Sequence, residues 1–327
     1  MIAFGGAHML MLDGHATNDL TAALPAGAVW IDLLDGTADE IAWVERQTGL
    51  HVPNLDELSE IESSSRLRTD AGVIFLTTPV VFRAGSGVPV TTSLGFVLST
   101  QWLITVRFAP LTAFKTFTAI WTKTAPAERG SMDAFVGALD AIVDRMADVL
   151  ETVGSELDAV SLHVFRVHSP GPPAREDANL REILRRIGRC GDLASKIRDS
   201  LLGVARIVPY VLGQSADRLP ASWRTRLETQ RADIASLNDY DAHLTNKVQF
   251  LLDATLGLIS IEQNNIIKVL TVVSVVGVPP TLVASMYGMN FHNMPELSWA
   301  WGYEYGLALI VLSAVCPVIW FKLRGWL

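Results

Sequence analysis

In this 327-residue chain a polar oxygen recurs every few positions along a segment whose one charge is Lys268. Starting from Asn264, steps of three or four residues reach Ile267, Leu270 or Thr271, Ser274, Val278, Thr281 and Ser285. On a helix such positions fall on one face, a stripe that mixes small polar groups with apolar ones. Polar groups turned toward lipid are costly, so the stripe is expected to meet partner helices or water. The plainer alternative is that each hydroxyl bonds the carbonyl four residues back in its own helix. Pro279 and Pro280 add a second signal. Neither has an N–H, so the carbonyls of Val275 and Val276 lose their helical partners and become available to water or to a hydrated ion. A packing kink without any transport role is the competing reading.

The elements that would carry this stripe are two apolar runs. Val269 to Tyr287 holds nineteen residues without a charge, and Tyr305 to Phe321 holds seventeen. At the helical rise each covers roughly 25–29 Å, close to the hydrocarbon thickness of a bilayer. Both read as membrane-spanning helices rather than buried core helices, and the lipid bilayer is therefore an expected partner. Lys247 and Lys268 precede the first run, and Lys322 and Arg324 follow the second. The loop between holds only His292, Glu296 and Glu304 as titratable groups apart from tyrosines. Positive-inside bias then puts both termini in the cytoplasm. The opening "MIAFGGAHML" lacks the basic and apolar regions of a signal peptide. Two cysteines, Cys190 and Cys316, build no disulfide framework. A net charge of −8 argues against nucleic acid and leaves room for cations.

The first 125 residues alternate short β-type runs, "AVWIDLL" (28–34), "VIFLTTPVVF" (73–82), "LGFVLS" (94–99) and "WLITVRF" (102–108), with the amphipathic "TADEIAWVERQTGL". This is an α/β pattern, with a hairpin between the last two runs. From Ser131 the period changes: Phe135, Leu139, Ile142, Met146, Val149, Val153, Leu157 and Val160 form one face of a long helix. "SPGPP" (169–173) interrupts it, a second helix runs from about Glu176 to the neighbourhood of Pro209, and Pro220 can open a third. Leu227, Ile234, Leu237, Leu244, Val248, Leu251 and Leu258 give that third helix a coiled-coil-like seam, which continues without a stop signal into the first apolar run. Unbroken from Pro220 to Tyr287, it would be on the order of 100 Å long.

Two spans cannot enclose a pore, so transport by this chain would require a ring of copies. Here "VVSVVGVPPTLVASMYGMNFHNMPELSWAWGY" and the closing "FKLRGWL" resemble the membrane segment of the CorA family of divalent-cation channels, above all in Tyr287-Gly288-Met289-Asn290 and Met294-Pro295-Glu296-Leu297. "AVWIDLLDGTADE", "LDELSEIESSSR" and "ISIEQNNIIKVLT" resemble, more weakly, the family's cytosolic domain and its stalk-to-membrane junction. The resemblance implies a homopentameric funnel that carries Mg²⁺, with Co²⁺ and Ni²⁺ as secondary substrates, through the bacterial inner membrane. It divides the chain into a cytosolic α/β domain (1–125), long antiparallel cytosolic helices (126–219), a stalk (220–268), a pore helix (269–287), a periplasmic loop (288–304), a second span (305–321) and a tail (322–327). It places Asn264, Ile267, Leu270, Val278, Thr281 and Asn290 along the pore, joined by Ser274 from the stripe, and Gly288, Met289 and Asn290 at the mouth. Because Mg²⁺ gives up inner-shell water reluctantly, neutral carbonyl oxygens suit a hydrated ion better than a carboxylate cage does. Gly288 would let the backbone turn sharply at the helix end. Leu270 and Ile267 would form a hydrophobic gate, with ordinary core packing as the alternative.

The family closes when cytosolic Mg²⁺ binds between subunits, a population shift by differential affinity. In an ungapped extension, however, one family sensor aspartate falls on Thr229, with Glu228 and Asp233 nearby, so the regulatory ligands are not assigned. Asp56, Glu57, Glu60 and Glu62 read as solvated helix faces. His292 stands where relatives often carry Glu, and the basic tail is thin. Competing functions are a zinc transporter of the ZntB branch, which commonly carries Gly-Val-Asn where this chain has Met289, and a two-span membrane sensor or anchor. An enzyme is not expected, for there is no P-loop and no H-E-x-x-H, and the five-residue spacing of His163 and His168 suits no helical metal site. No cofactor is expected beyond Mg²⁺ as transported and regulatory ion.

Overall fold

A computed structural model describes residues 8–60, 62–83, 88–125, 128–166, 173–214, 220–289 and 294–326. The chain forms two compact units, Met1–Leu252 and Asp253–Leu327.

The first unit is built on a seven-stranded sheet of β1 (Met9–Leu12), β2 (His15–Thr17), β3 (Trp30–Leu34), β4 (Leu67–Asp70), β5 (Val73–Phe82), β6 (Val90–Leu98) and β7 (Leu103–Arg107). Their order is β2-β1-β3-β7-β6-β5-β4, and only the central β3–β7 pair is parallel. The hairpin expected from the two closely spaced runs is β6–β7, with Leu98 opposite Leu103. Every residue of β3 and β7 is buried, as central strands covered on both faces require.

One face carries α1 (Ala38–Thr48) and the short α2 (Leu55–Leu58). Thr37 starts α1 through a capping box with Glu40, and Gly49 ends it at φ +68°, a conformation that glycine adopts without the Cβ penalty. Trp43 and Val44 of α1, with Leu58 of α2, pack on Ile31, Leu33 and Ile104. The short α3 (Ser63–Arg66) leads into β4. The other face carries α4 (Thr112–Trp121), α5 (Ser131–Arg166) and α6 (Pro173–Gln214). Alternation along β3 turns Trp30 to this side, where its ring lies 4.6 Å from Phe117, and Phe96 meets Phe135 edge-on at 5.5 Å. Between the layers Asp32 and Arg107 form a buried pair across β3 and β7, with Nη2 to Oδ2 at 2.7 Å and Nε to Oδ1 at 3.0 Å. Thr105 donates to the same carboxylate at 2.6 Å, and Arg107 Nη1 reaches the Ala109 carbonyl. This pairing is what makes a buried charge tolerable.

The second long helix differs from expectation at its end. Pro209 lies inside α6, which continues to Gln214. A proline removes one internal hydrogen bond, and the apolar face on either side of it, from Leu201, Val204, Ile207 and Val208 to Val211, is fully buried and holds the helix together. Gly203 lies against β5 so closely that a Cβ there would run into Thr78 Oγ1 and stand 3.0 Å from Pro79 Cδ.

The third long helix, α7 (Ala221–Tyr287), is continuous through Pro279 and Pro280, and α8 (Gly302–Leu323) follows a 3-10 turn at Pro295–Ser298. Within the first unit, Leu227, Ile234, Leu244 and Leu251 of α7 are buried, as the seam predicts. Polar contacts fix its register: Trp223 Nε1 donates to Asp133 at 2.7 Å, Arg226 pairs with Asp140 at 2.7 Å, and Lys247 pairs with Asp158 at 2.5 Å.

Candidate functional site

The site is built on the second unit, which holds the apolar part of α7 and all of α8, the two helices among the described residues that are long and apolar enough to cross a membrane. The only formal charges between Val269 and Phe321 are Glu296 and Glu304, so this stretch carries negative charge alone. Cationic residues flank it, and Lys268 Nζ lies 5.7 Å from the centre of the Trp326 ring.

Two faces of α7 can be told apart here. Val272, Val276, Pro279, Pro280, Val283 and Tyr287 are half-buried. At the far end of this face the Tyr287 ring lies within 3.9 Å of the Cβ position of Gly306, which is itself buried in α8. With Lys268 against Trp326 at the other end, α8 runs antiparallel beside that face. Asn264, Ile267, Leu270, Ser274, Val278 and Thr281 are all exposed. At roughly 100° per residue the two sets lie about 180° apart around the helix. The stripe therefore occupies the exposed side of α7, opposite the face beside α8.

The hydroxyl chemistry follows the plainer alternative. Thr281 Oγ1 donates to the Val278 carbonyl at 2.8 Å and approaches that of Gly277 at 3.2 Å, and Thr271 Oγ1 donates to Ile267 at 2.8 Å. With its hydrogen committed to the backbone, each oxygen presents lone pairs outward as an acceptor. Water bound to a cation donates outward, so this is the polarity that a hydrated ion needs.

At the end of α7, Gly288 N–H reaches the Ala284 carbonyl at 3.0 Å and Met289 N–H reaches Met286 at 3.3 Å. The chain turns at Gly288 and bends at Met289 directly after the helix, and Gly288 is not among the residues with left-handed backbone. Met289 is exposed. Asn290 and His292 lie outside the described residues, as does His168.

The acidic groups are distributed rather than gathered. Among the described residues no three His, Cys, Asp or Glu side chains converge to hold a metal ion. Near the aligned sensor position, Thr229 bonds the Thr225 carbonyl, and Glu228 faces Arg231 at 3.8 Å. Burial pushes the Asp144 carboxyl above the usual carboxylate range, reinforced by Asp140, Asp148 and Asp233. Glu57 is no idle solvated charge: it takes part in the capping box of α2 and pairs with His51 at 3.0 Å.

Reading the seam only through its apolar members missed Gln230 and Asp241, which occupy its heptad positions and are buried. Asp241 Oδ2 accepts from Arg198 Nε at 2.9 Å while Oδ1 has no partner, and burial raises its pKa against the pull of Arg198. Gln230 donates to Val136 and Asp140. The seven-residue spacing between Leu227, Ile234 and Asp241 is the signal that finds the acid.

Comparison with known proteins bears directly on this arrangement. The profile of the family described as CorA-like Mg²⁺ transporter protein matches residues 25–323. The magnesium transport proteins CorA of Salmonella typhimurium and of Escherichia coli K12 are each 30% identical over 300 residues, covering 92% of this chain and 92% of the relative. The complete structure of the CorA magnesium transporter from Methanocaldococcus jannaschii superposes with a TM-score of 0.76 at 20% identity, covering 99% of this chain and 100% of that one.

Proposed function

The chain belongs to the CorA family of Mg²⁺ transporters, and on that premise we propose that it conducts Mg²⁺ across the inner membrane as a homopentamer, both termini in the cytoplasm. Co²⁺ and Ni²⁺ are secondary substrates. In this reading residues 269–287 are the pore helix, 288–304 the outer loop and 305–321 the surrounding helix. The observation that carries it is the exposure of the whole stripe on the side of α7 opposite α8. Oxygens and apolar groups placed there in one chain become concentric rings when copies close around an axis.

The steps follow from the ring chemistry. A hydrated Mg²⁺ meets the neutral oxygens of Gly288, Met289 and Asn290, which accept hydrogen bonds from its water shell without stripping it. Glu296 and Glu304 enrich cations near the entrance. Acceptor oxygens of Thr281, Ser274 and Asn264 hand the hydrated ion inward. At Leu270 and Ile267 the rings are apolar, and a sufficiently narrow apolar constriction empties of water and stops the ion. Cytosolic Mg²⁺ closes the channel by binding the closed ring more tightly than the open one.

Purified in a mild detergent, the chain should have the mass of a pentamer, and a monomer or dimer would count against the ring. Asn290→Ala should abolish Mg²⁺ uptake into liposomes while leaving that mass unchanged, whereas uptake at the parent rate would remove the proposed mouth. Parallel uptake of Mg²⁺, Co²⁺, Ni²⁺ and Zn²⁺ separates this reading from zinc transport.

A further inference from the structure

The turn that ends α8 gathers cations at one end of the helix pair. Gly325 stands at φ +68°, the left-handed conformation that glycine accepts without a Cβ penalty, and its N–H reaches the Lys322 carbonyl at 3.1 Å. Trp326 N–H reaches back to the Phe321 carbonyl at 3.0 Å, and the two rings stack at 5.5 Å, which together make a Schellman ending with its apolar contact. Folded back in this way, Trp326 meets Lys268 of α7, whose Nζ lies 5.7 Å from the ring centre. Trp320 meets the same buried Phe321 edge-on at 5.0 Å and has the Arg324 guanidinium 5.6 Å from its own ring centre. An aromatic face attracts a cation without neutralising it, so these charges are positioned and still free to meet an anion. Lys322 is exposed beside them. Among the described residues Lys268, Lys322 and Arg324 have no acidic partner. Glu262 is the acid of α7 nearest in sequence to Lys268, six residues before it, and α8 carries its one acid, Glu304, in its first turn at the opposite end.

Lys268 directly precedes one charge-free run and Lys322 directly follows the other. On the transport reading, on which this inference rests, the three cations therefore share the cytosolic membrane surface. Lys268 lies on the face of α7 turned to α8, away from the exposed stripe, so its charge does not oppose the transported cation from within the stripe. We propose that this end of the helix pair binds an anionic phospholipid of the cytosolic leaflet, its phosphate held by Lys268, Lys322 and Arg324 and its acyl chains laid along the exposed apolar side of α8. Charge complementarity names the head group: a zwitterionic lipid brings a cation of its own, which unpaired positive charges repel, and an anionic lipid does not. The negative end of the α8 dipole counts against an anion with about half a charge, and three full charges outweigh it. Trp320 and Trp326 are rings of the kind that settle at head-group level. Ile319 and Leu323, 52% and 82% exposed, offer the apolar contact that separates a lipid from a free phosphate.

The test is native mass spectrometry of the full-length chain, delipidated in a mild detergent and titrated with dioleoyl phosphatidylglycerol or dioleoyl phosphatidylcholine, two lipids with the same acyl chains. Phosphatidylglycerol should occupy one site per chain and bind at least about tenfold more tightly than phosphatidylcholine. A large excess of glycerol 3-phosphate should leave it bound, whereas displacement would assign the site to a free phosphate and overturn the lipid. The double variant Lys322→Gln, Arg324→Gln should weaken phosphatidylglycerol at least about tenfold. Lys123→Gln, which removes an exposed cation of α4, should leave its affinity unchanged. Equal binding of the two lipids, or an equal loss in Lys123→Gln, overturns the proposal. The same spectra count the chains in the assembly, so a pentamer without lipid preference refutes the site and leaves the channel reading standing, and a monomer with the preference does the reverse. The comparison of the two lipids on the unmodified chain decides the matter even where a variant fails to fold.

Discussion

Between Leu227 and Leu251 the long helix α7 hides its leucines, and between Ile267 and Leu282 it displays them. Leu251 is fully buried, whereas Leu270 is 65% exposed and Ile267 and Val278 are each 60% exposed. The residue types hardly differ. What differs is the partner: the first stretch finds α5 and α6 of its own unit, with Trp223, Arg226 and Lys247 anchored to acids of α5, while the second shows one face to α8 and leaves the other open. Apolar surface of that kind and extent is stable only in lipid or against further copies of the chain. One helix thus follows two solvent rules, and polarity has opposite uses under them. In the seam a buried polar side chain is tied to a neighbour through at least one of its atoms, as Asp241 Oδ2 is to Arg198 Nε. On the stripe the oxygens are useful because they keep an acceptor free.

The largest contrast should come from one substitution made twice. Leu251→Ala should destabilise the first unit by about 2–5 kcal/mol, and Leu270→Ala should change the same unfolding transition by less than about 0.5 kcal/mol, both measured by urea denaturation followed through tryptophan fluorescence. Equal losses would erase the distinction between the two stretches. Next in size, Arg198→Ala should cost about 1–3 kcal/mol, since it leaves a buried carboxyl without its donor. A neutral outcome would mean that the Arg198 bond contributes nothing to holding Asp241 in the seam.

Acid should separate two carboxyls with opposite signs. Asp241, its pKa raised by burial, binds its proton more tightly folded than unfolded, so its contribution falls as pH rises from the ordinary carboxylate value through the raised one. Glu156 is held low by its hydrogen bond from Arg186, so its contribution is present above the ordinary value and is lost as pH falls through the depressed one. Asp241→Asn should therefore remove a gain in urea midpoint on acidification, and Glu156→Gln should remove a loss. Matching acid limbs in both variants would contradict these assignments. The smallest effect is expected from Thr281→Val, below about twofold in Mg²⁺ flux, because only one acceptor ring among several is lost and the side-chain volume is nearly unchanged. Complete loss of flux would promote Thr281 to an essential contact.

Much of this was legible in the sequence because it is periodic. The run Val73–Phe82 is β5 to the residue, and "TADEIAWVERQTGL" contains α1 with both of its caps. The leucine spacing in α7 identified the buried face, and the charge-free runs identified the two apolar helices. What escaped notice lacks a period. β1, β2 and β4 are three or four residues long, too short to show a period, so each is a strand because a longer neighbour pairs with it. α4 has no cap to announce it and is held by Phe114, Phe117 and Trp121 packing against Trp30. Pro209 reads as a stop, yet the buried residues around it carry the helix onward. In the candidate site the stripe could be drawn from spacing alone, while its position opposite α8 needed coordinates. Lys268 and Trp326 are 58 positions apart and meet only after folding.

Gly203 sets a mechanical limit on α6. Where α6 rests on Thr78 and Pro79 without even a methyl group between them, the helix has a fulcrum. A slide of α6 that brought any neighbouring residue to this point would drive its side chain into the strand. Alanine at 203 would act as a permanent wedge, prying helix and strand apart.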